Sequence, residues 1–506
     1  MPIMGATTTS FMLTSLLFTS GVLAAGKANT FELVGETGVS AQQLFLGAAN
    51  KVYIVDKVRR PFVPSSCPSS TESRLLANFF SLSTQVENNP ATIAGHPAWA
   101  TEYDIDTNTY RAMDIITNSF CAGGTLLGNG SWLNAGGNNA VTTGGVSDSA
   151  VDIVESTKTG AYEDLSGGRA QRIITPCTNE TCTCINPMDK KPAYVDEDDL
   201  PHRRGMGNFI ILPDQRLFLV NGVGHGSAGY GTQNWTRKYG VSYAKDPVLT
   251  PSYYNHSAPV GQRHDSNLPN STINRMYHSS ATLLPDGSVF IAGSNPNPDV
   301  ITEANNASYP YKTEYRAERF YPSYYDAGRP VPSGVPSTIT YGGKGFNITL
   351  PASSINGTEN LASAFVGIYR GGFSTHAINF GMRYVELKNS YTGNSDGSAT
   401  LHVSQLPPNP AILVPGPAML FVVINNIPSV GIYVMVGSGT IETQPLLAAT
   451  VLPASTLNGK ATSTNGTTNS TGTSTKSGSK ASGAAATSFS VGLAVAVALS
   501  SFTFLF

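Results

Sequence analysis

The chain has 506 residues, of which 40% are apolar and only 13% charged, with 51 glycines and 32 prolines. That length accommodates two or three domains, and the Gly/Pro-rich, charge-poor composition fits a loop-rich β protein and excludes a helical bundle. A formal net charge of −2, with no basic block and no acidic tail, leaves no electrostatic footprint for nucleic acid.

Residues 11–23 form a short apolar run that ends in Ala24, Ala25 and Gly26, so residues 1–25 are expected to be a secretory signal. Asn-x-Ser/Thr sequons at Asn129, Asn179, Asn234, Asn255, Asn270, Asn306, Asn347, Asn356, Asn465 and Asn469 agree with export, their density counting for more than any single one. The five cysteines are Cys67, Cys121, Cys177, Cys182 and Cys184. Cys177 with Cys182, and Cys67 with Cys184, are candidate disulfides. Cys121 is then left over, and an odd cysteine in an oxidising compartment needs a chemical reason.

Three hairpins are predicted next, turning at Gly128-Asn129-Gly130, Pro213-Asp214-Gln215 and Pro285-Asp286-Gly287. Each has an apolar run, a tight turn, a second apolar run and a terminal Gly, Asn-Gly or Gly-Gly. A repeated hairpin of this kind is the signature of Kelch-type propeller blades. Superposing the turns places Phe120-Cys121 on Tyr277-His278, so Cys121 and His278 are expected to begin inner strands of two different blades. Such strand starts line one end of a central channel. The hairpins lie further apart than the ~40–50 residues of one blade.

After about residue 332 the texture changes to short β-rich runs such as Phe346-Asn347-Ile348-Thr349-Leu350 and Gly431-Ile432-Tyr433-Val434-Met435-Val436, separated by Gly and Pro turns. These predict an immunoglobulin-like β-sandwich over 332–452, following a propeller over 26–331. His376 falls in a sandwich loop that can reach the propeller channel. Residues 453–487 are Ser/Thr/Gly-rich and read as a disordered, O-glycosylated stalk. Residues 488–506 are apolar with no basic residue after them, preceded by the small trios Ser477-Gly478-Ser479 and Ser482-Gly483-Ala484. That is the arrangement of a GPI-anchor signal, with a tail-anchored span as the alternative.

The pair Tyr277-His278 and the distant His376 supply a phenol and two imidazoles, ligand types suited to tetragonal copper(II). Taken singly, each is better read as ordinary packing or polar surface than as a ligand. Together with Asn118-Ser119-Phe120-Cys121-Ala122-Gly123-Gly124, Ala228-Gly229-Tyr230-Gly231, Arg275-Met276-Tyr277-His278-Ser279, Gly293-Ser294-Asn295-Pro296-Asn297 and Ser374-Thr375-His376-Ala377-Ile378-Asn379, they make the chain resemble the copper radical oxidases, and among them the fungal glyoxal oxidases.

The resemblance implies a seven-bladed propeller followed by a β-sandwich. It implies copper held by His278, His376, Tyr277 as axial phenolate and a second tyrosinate joined by a thioether to Cys121. That bond would account for the odd cysteine. The Tyr-Cys radical and Cu(II) would each accept one electron, with Tyr277 as general base, a small aldehyde as substrate and O2 reduced to H2O2. A monomer is expected.

One element of the family pattern is absent: no Arg-Trp-Tyr motif stands between Cys121 and Tyr277. Segments that relatives separate by further blades meet around Thr183, so the expectation is an internal loss of two or more blades. Tyr162, Tyr194 and Tyr230 remain as alternative second phenols, none of them opening a matching hairpin. Three readings follow: a surface-anchored oxidase of glyoxal or methylglyoxal type; a non-catalytic surface propeller that binds copper or carbohydrate; and a shortened version of a longer enzyme.

Overall fold

The structure is a computed structural model that describes residues 26–47, 50–55, 92–93, 96–97, 99–115, 119, 122–126, 132–135, 141–142, 146–147, 171–174, 200–231, 239–298, 300–302, 307–440, 442–457 and 460–461. The signal-like segment 1–25, the chain beyond 461, all five cysteines, Tyr162 and Tyr194 lie outside the described residues. Within them the secondary structure is strands and two short 3-10 turns.

The first strand is β1 (Thr30–Glu36), followed by β2 (Gln43–Leu46), β3 (Lys51–Val55), β4 (Ala100–Asp104) and β5 (Thr109–Ala112), of which β2 to β5 form an antiparallel ladder in chain order. The first expected hairpin is present as β6 (Gly123–Leu126) and β7 (Trp132–Ala135), with β8 (Gln171–Ile174) on the far side of β7. The second is β9 (Asn208–Ile211) and β10 (Leu217–Val220). A projecting pair, β11 (Val223–Tyr230) and β12 (Ser242–Pro247), comes next, and β13 (Ser252–Tyr254) and β14 (His264–Asp265) complete a sheet of order β9-β10-β13-β14. The third hairpin is β15 (Ser279–Leu283) and β16 (Val289–Gly293), joined by β17 (Arg316–Tyr321).

β1 pairs with β17, so the sheet β1-β17-β16-β15 is closed by the start of the chain, a propeller-type closure. Every residue of β15 and β16 is buried, which is why both read as unbroken rather than alternating strands. The turn between them works as its sequence demands. Gly287 takes φ +80°, Asp286 Oδ1 accepts the Ser288 N–H at 3.1 Å, and Arg319 reaches Asp286. Strand β9 packs beside β15, and β15 beside β2.

The sandwich is built from β18 (Phe346–Leu350), β19 (Phe365–Arg370), β20 (Phe373–Thr375), β21 (Ile378–Phe380), β22 (Arg383–Leu387), β23 (Asn389–Gly393), β24 (Ala399–Val403), β25 (Gly416–Ile424), β26 (Ile432–Val436) and β27 (Thr456–Leu457), although β20 and β21 leave it. One sheet runs β26-β25-β19-β22 and the other β18-β24-β23-β27. Val366, Ile368, Leu420 and Val422 face the core between the sheets, whereas Tyr369, Met419, Phe421 and Val423 join the propeller core. Burial on both faces explains the unbroken apolar run of β25. The end of the sandwich expected at 452 moves outward, because Thr456 and Leu457 pair in parallel with Thr392 and Gly393, and Leu457 packs on the sandwich core.

The hairpin β20–β21 departs from the sandwich altogether. Strand β20 pairs with β2, giving the sheet β21-β20-β2-β3-β4-β5, and the hairpin also packs against β15, β6 and β9. Phe373 anchors it: its ring lies 5.5 Å from Phe45 and 6.0 Å from Trp132, in a small core with Tyr53, Val55 and Ala100. A segment of the sandwich thus lies amid the inner strands of four propeller sheets.

Candidate metal centre

At the tip of that hairpin, between β20 and β21, stands His376. Its ring centroid is 5.4 Å from His278 and 6.0 Å from Tyr277, while Tyr277 stacks on His278 at 3.7 Å. The three residues singled out from the sequence therefore meet, brought together from the start of β15 and from the sandwich hairpin. A fourth ring, Tyr230 at the end of β11, lies 6.1 Å from both Tyr277 and His278. Cys121 lies outside the described residues; Ser119 and Ala122 are buried, Ser119 donating to the Trp99 carbonyl at 3.0 Å.

Both histidines sit on left-handed backbone, His278 at φ +63° and His376 at φ +50°. That region is uncommon for non-glycine residues, although less so for His than for most, and residues held in it cluster at functional sites. For His278 the surroundings are clear. Asn295 N–H donates to the Tyr277 carbonyl at 2.9 Å, Met276 N–H donates to Ser294 Oγ at 2.9 Å, and Ser279 Oγ donates to the Met276 carbonyl at 2.8 Å. Beneath them Arg275 forms a fully buried ion pair with Glu318 at 2.9 Å and donates to the Gly293 carbonyl at 2.8 Å. The strings Arg275-Met276-Tyr277-His278-Ser279 and Gly293-Ser294-Asn295 are thus the two halves of one clamp.

His376 is set by two polar neighbours. Its Nε2 lies 2.8 Å from Gln42 Nε2 and its Nδ1 lies 2.7 Å from Thr375 Oγ1. An amide nitrogen only donates, so Nε2 accepts and Nδ1 carries the proton and gives it to Thr375. Burial pushes the His376 imidazole below its usual value, which keeps it neutral. The lone pair a metal would use is therefore on Nε2, held by the Gln42 amide. The Gln42 backbone is itself fixed, since its main-chain carbonyl accepts the Ser280 hydroxyl at 2.9 Å.

Sequence reasoning missed Gln42, its neighbour Gln43, Thr375 and the Arg275–Glu318 pair. Gln43 is fully buried, donates to the Ser119 carbonyl at 2.9 Å and accepts from Asn134 at 2.8 Å. The available signal was two consecutive glutamines entering an apolar run, Val39 to Leu46. Among the described residues no group of three His, Cys, Asp or Glu side chains is placed to hold a metal. The donor set here is instead two imidazoles and two phenols. Rings bound to one ion through bonds of ~2 Å crowd within van der Waals reach of one another, and the observed separations of 3.7 to 6.1 Å fit that arrangement.

Fold and ring cluster together define a class: a β-propeller with an immunoglobulin-like sandwich whose hairpin enters the propeller to complete a His/Tyr centre. Comparison with known proteins shows what the chain is similar to. Residues 151–324 match the model of the glyoxal oxidase N-terminus, and residues 329–436 match the galactose oxidase-like early set domain. An Arabidopsis thaliana protein named aldehyde oxidase GLOX1 is 32% identical over 53% of this chain and 41% of its own length. Aldehyde oxidase GLOX of Vitis pseudoreticulata is 34% identical over 53% of this chain and 48% of its own, and a galactose oxidase of Gibberella zeae is 28% identical over 44% and 28%. A solved fungal alcohol oxidase in complex with copper aligns at 13% identity with a TM-score of 0.47, over 80% of this chain and 98% of that one. The chain spans less than half the length of each of these curated relatives. Over the two matched stretches it is similar to the glyoxal oxidases and to galactose oxidase.

Proposed function

We propose that the protein is an extracellular copper radical oxidase that converts small aldehydes, of the glyoxal or methylglyoxal kind, to carboxylic acids while O2 is reduced to H2O2. The observation that carries this reading is the convergence of Tyr277, His278 and His376, whose ring centroids lie 3.7 to 6.0 Å apart. Imidazole and phenol are suitable copper(II) ligands, and the neutral, tautomer-fixed His376 is ready to serve as one. Copper, when bound, supplies a one-electron acceptor and a place for O2 to be reduced.

The chain's own residues do the rest. His278 and His376 would hold the ion, and Thr375 keeps the His376 proton on Nδ1 so that the Nε2 lone pair, which accepts from the Gln42 amide, is the one that would exchange that bond for the ion. The oxygen of Tyr277, as a phenolate that has given up its own proton on coordination, takes the proton from the hydroxyl of the hydrated aldehyde as general base and becomes the phenol. Cys121 keeps the role that the resemblance assigns to it, covalent partner of a redox tyrosine. The hydrated aldehyde gives up two electrons and two protons, and O2 takes both of each.

Secretion, glycosylation and a GPI anchor belong to the same proposal. They are supported by the signal-like and anchor-like ends of the sequence and by the exposure of the sequon residues Asn255, Asn270, Asn347 and Asn356. The missing Arg-Trp-Tyr motif favours one second reading, a surface protein that binds copper without turnover. Peroxide output from copper-loaded, mildly oxidised full chain with methylglyoxal separates the two. Turnover that disappears in Tyr277→Phe and in Cys121→Ser supports the oxidase, and bound copper without peroxide removes it.

A further inference from the structure

We propose that Tyr230 supplies the second phenol of the copper centre, in place of the tyrosine whose motif this chain lacks. The inference rests on the copper reading above and deepens it. Its ring meets Tyr277 edge-on at 60° and His278 at 77°, each at 6.1 Å. It therefore flanks the same two residues as His376, arriving from a third part of the chain.

The local backbone is arranged to bring it there. Gly229 at φ +110° and Gly231 at φ +125° bracket Tyr230, and the register of β11 against β12 breaks between Gly226 and Tyr230. A side chain at Gly226 is excluded, because its Cβ would lie 2.1 Å from the Tyr243 carbonyl. A glycine-lined irregularity of this kind re-aims the residue that follows it. Residues 225–228 of β11 are exposed, yet Tyr230 returns to partial burial. The Gly231 N–H then ties the strand end to the Val241 carbonyl at 2.9 Å.

Charge balance favours the same assignment. Cu(II) held by two neutral imidazoles and one phenolate leaves a positive charge in a site where His278 is 2% exposed, and uncompensated buried charge is costly. A second phenolate brings the set to neutrality. Among the described residues no cluster of carboxylates joins the two imidazoles to do so.

The test uses the full chain titrated with copper(II) alone in the absence of oxygen, comparing wild type with Tyr230→Phe, Tyr277→Phe and the double variant. Metal content, visible phenolate-to-copper absorption and protons released on binding are read together, with circular dichroism as the fold control. A neutral phenol loses its proton on coordination. Wild type is expected to release two protons per copper and each single variant one, with roughly half the absorption lost in each. The double variant loses the band while copper still binds through the imidazoles. A Tyr230→Phe protein that matches wild type in band and proton count makes Tyr230 a packing residue and overturns the inference while leaving the copper reading standing. Wild type that takes up no copper overturns both.

Discussion

Gly293 closes the third hairpin at φ +80°, and a Cβ there would meet the Ala41 carbonyl oxygen at 2.5 Å and that of His278 at 2.6 Å. The terminal glycine of the repeat is thus what lets the backbone bearing His278 approach the one entering β2. Gly293→Ala combines left-handed strain of about 1–2 kcal/mol with two backbone clashes, so destabilisation above ~2 kcal/mol is expected in urea denaturation. An unchanged midpoint would contradict the packing described. Glu318 is the second sensitive residue. Its removal leaves Arg275 charged and buried, and loss of one partner of such a pair typically costs about 3–5 kcal/mol. Glu318→Ala is expected to fall in that range by the same measurement. At this scale the sequence was informative about what ligates and silent about what supports. Tyr277, His278 and His376 carry recognisable chemistry, whereas Gln42 and Glu318 are ordinary residues whose roles depend on partners hundreds or tens of positions away.

Among the elements, β20 is the least expected from sequence periodicity, being three residues long and paired outside its own domain with β2. Its place follows from Phe373, fully buried against Phe45 and Trp132. Phe373→Ala is expected to cost about 3–5 kcal/mol and to weaken copper uptake, because it frees the strand that carries His376. Retained copper affinity would show that the hairpin is held by other contacts. The three blade hairpins were legible because Gly-Asn-Gly, Pro-Asp-Gln and Pro-Asp-Gly turns with flanking apolar runs have few other uses. The reach of the sandwich hairpin was legible as a possibility only, since strand pairing across domains leaves no periodic trace. The outward extension to β27 was hidden in Ser/Thr-rich sequence that composition alone marks as disordered.

Strand β4 also carries a pH dependence. Partial burial works against the charged form of Asp104, but the Lys51 ammonium and the Thr107 N–H outweigh it and hold the carboxyl at about 2. A carboxyl depressed below its unfolded value of ~3.9 stabilises the fold above that value, and the contribution is lost as pH falls towards about 2. Asp104→Asn is therefore expected to lose less stability than wild type between pH 5 and pH 3 in denaturant titrations. Equal losses would remove Asp104 from the acid response.

In the whole molecule, propeller and sandwich strands belong to one compact unit. The Tyr433 hydroxyl donates to the Gly47 carbonyl at 3.2 Å, that of Tyr384 to the Pro213 carbonyl at 2.9 Å, and Arg329 bridges the Pro428 and Ser429 carbonyls at 2.8 and 2.7 Å. Burial lowers the Arg329 guanidinium from its usual value, yet its donors are met by carbonyls. Arg329→Ala is expected to cost at least ~2 kcal/mol while unfolding stays a single transition, and two separated transitions would show that the halves are independent. Such coupling matters because the centre is shared: the propeller brings Tyr277 and His278, the sandwich brings His376. The most direct measurement is copper stoichiometry and thermal shift on the purified full chain, with His278→Ala and His376→Ala beside wild type. Wild type should bind one copper per chain and gain ~2.7 kcal/mol at a hundredfold excess over Kd, with both gains lost in either variant. Wild type that binds no copper, or variants that bind it equally well, would contradict the centre.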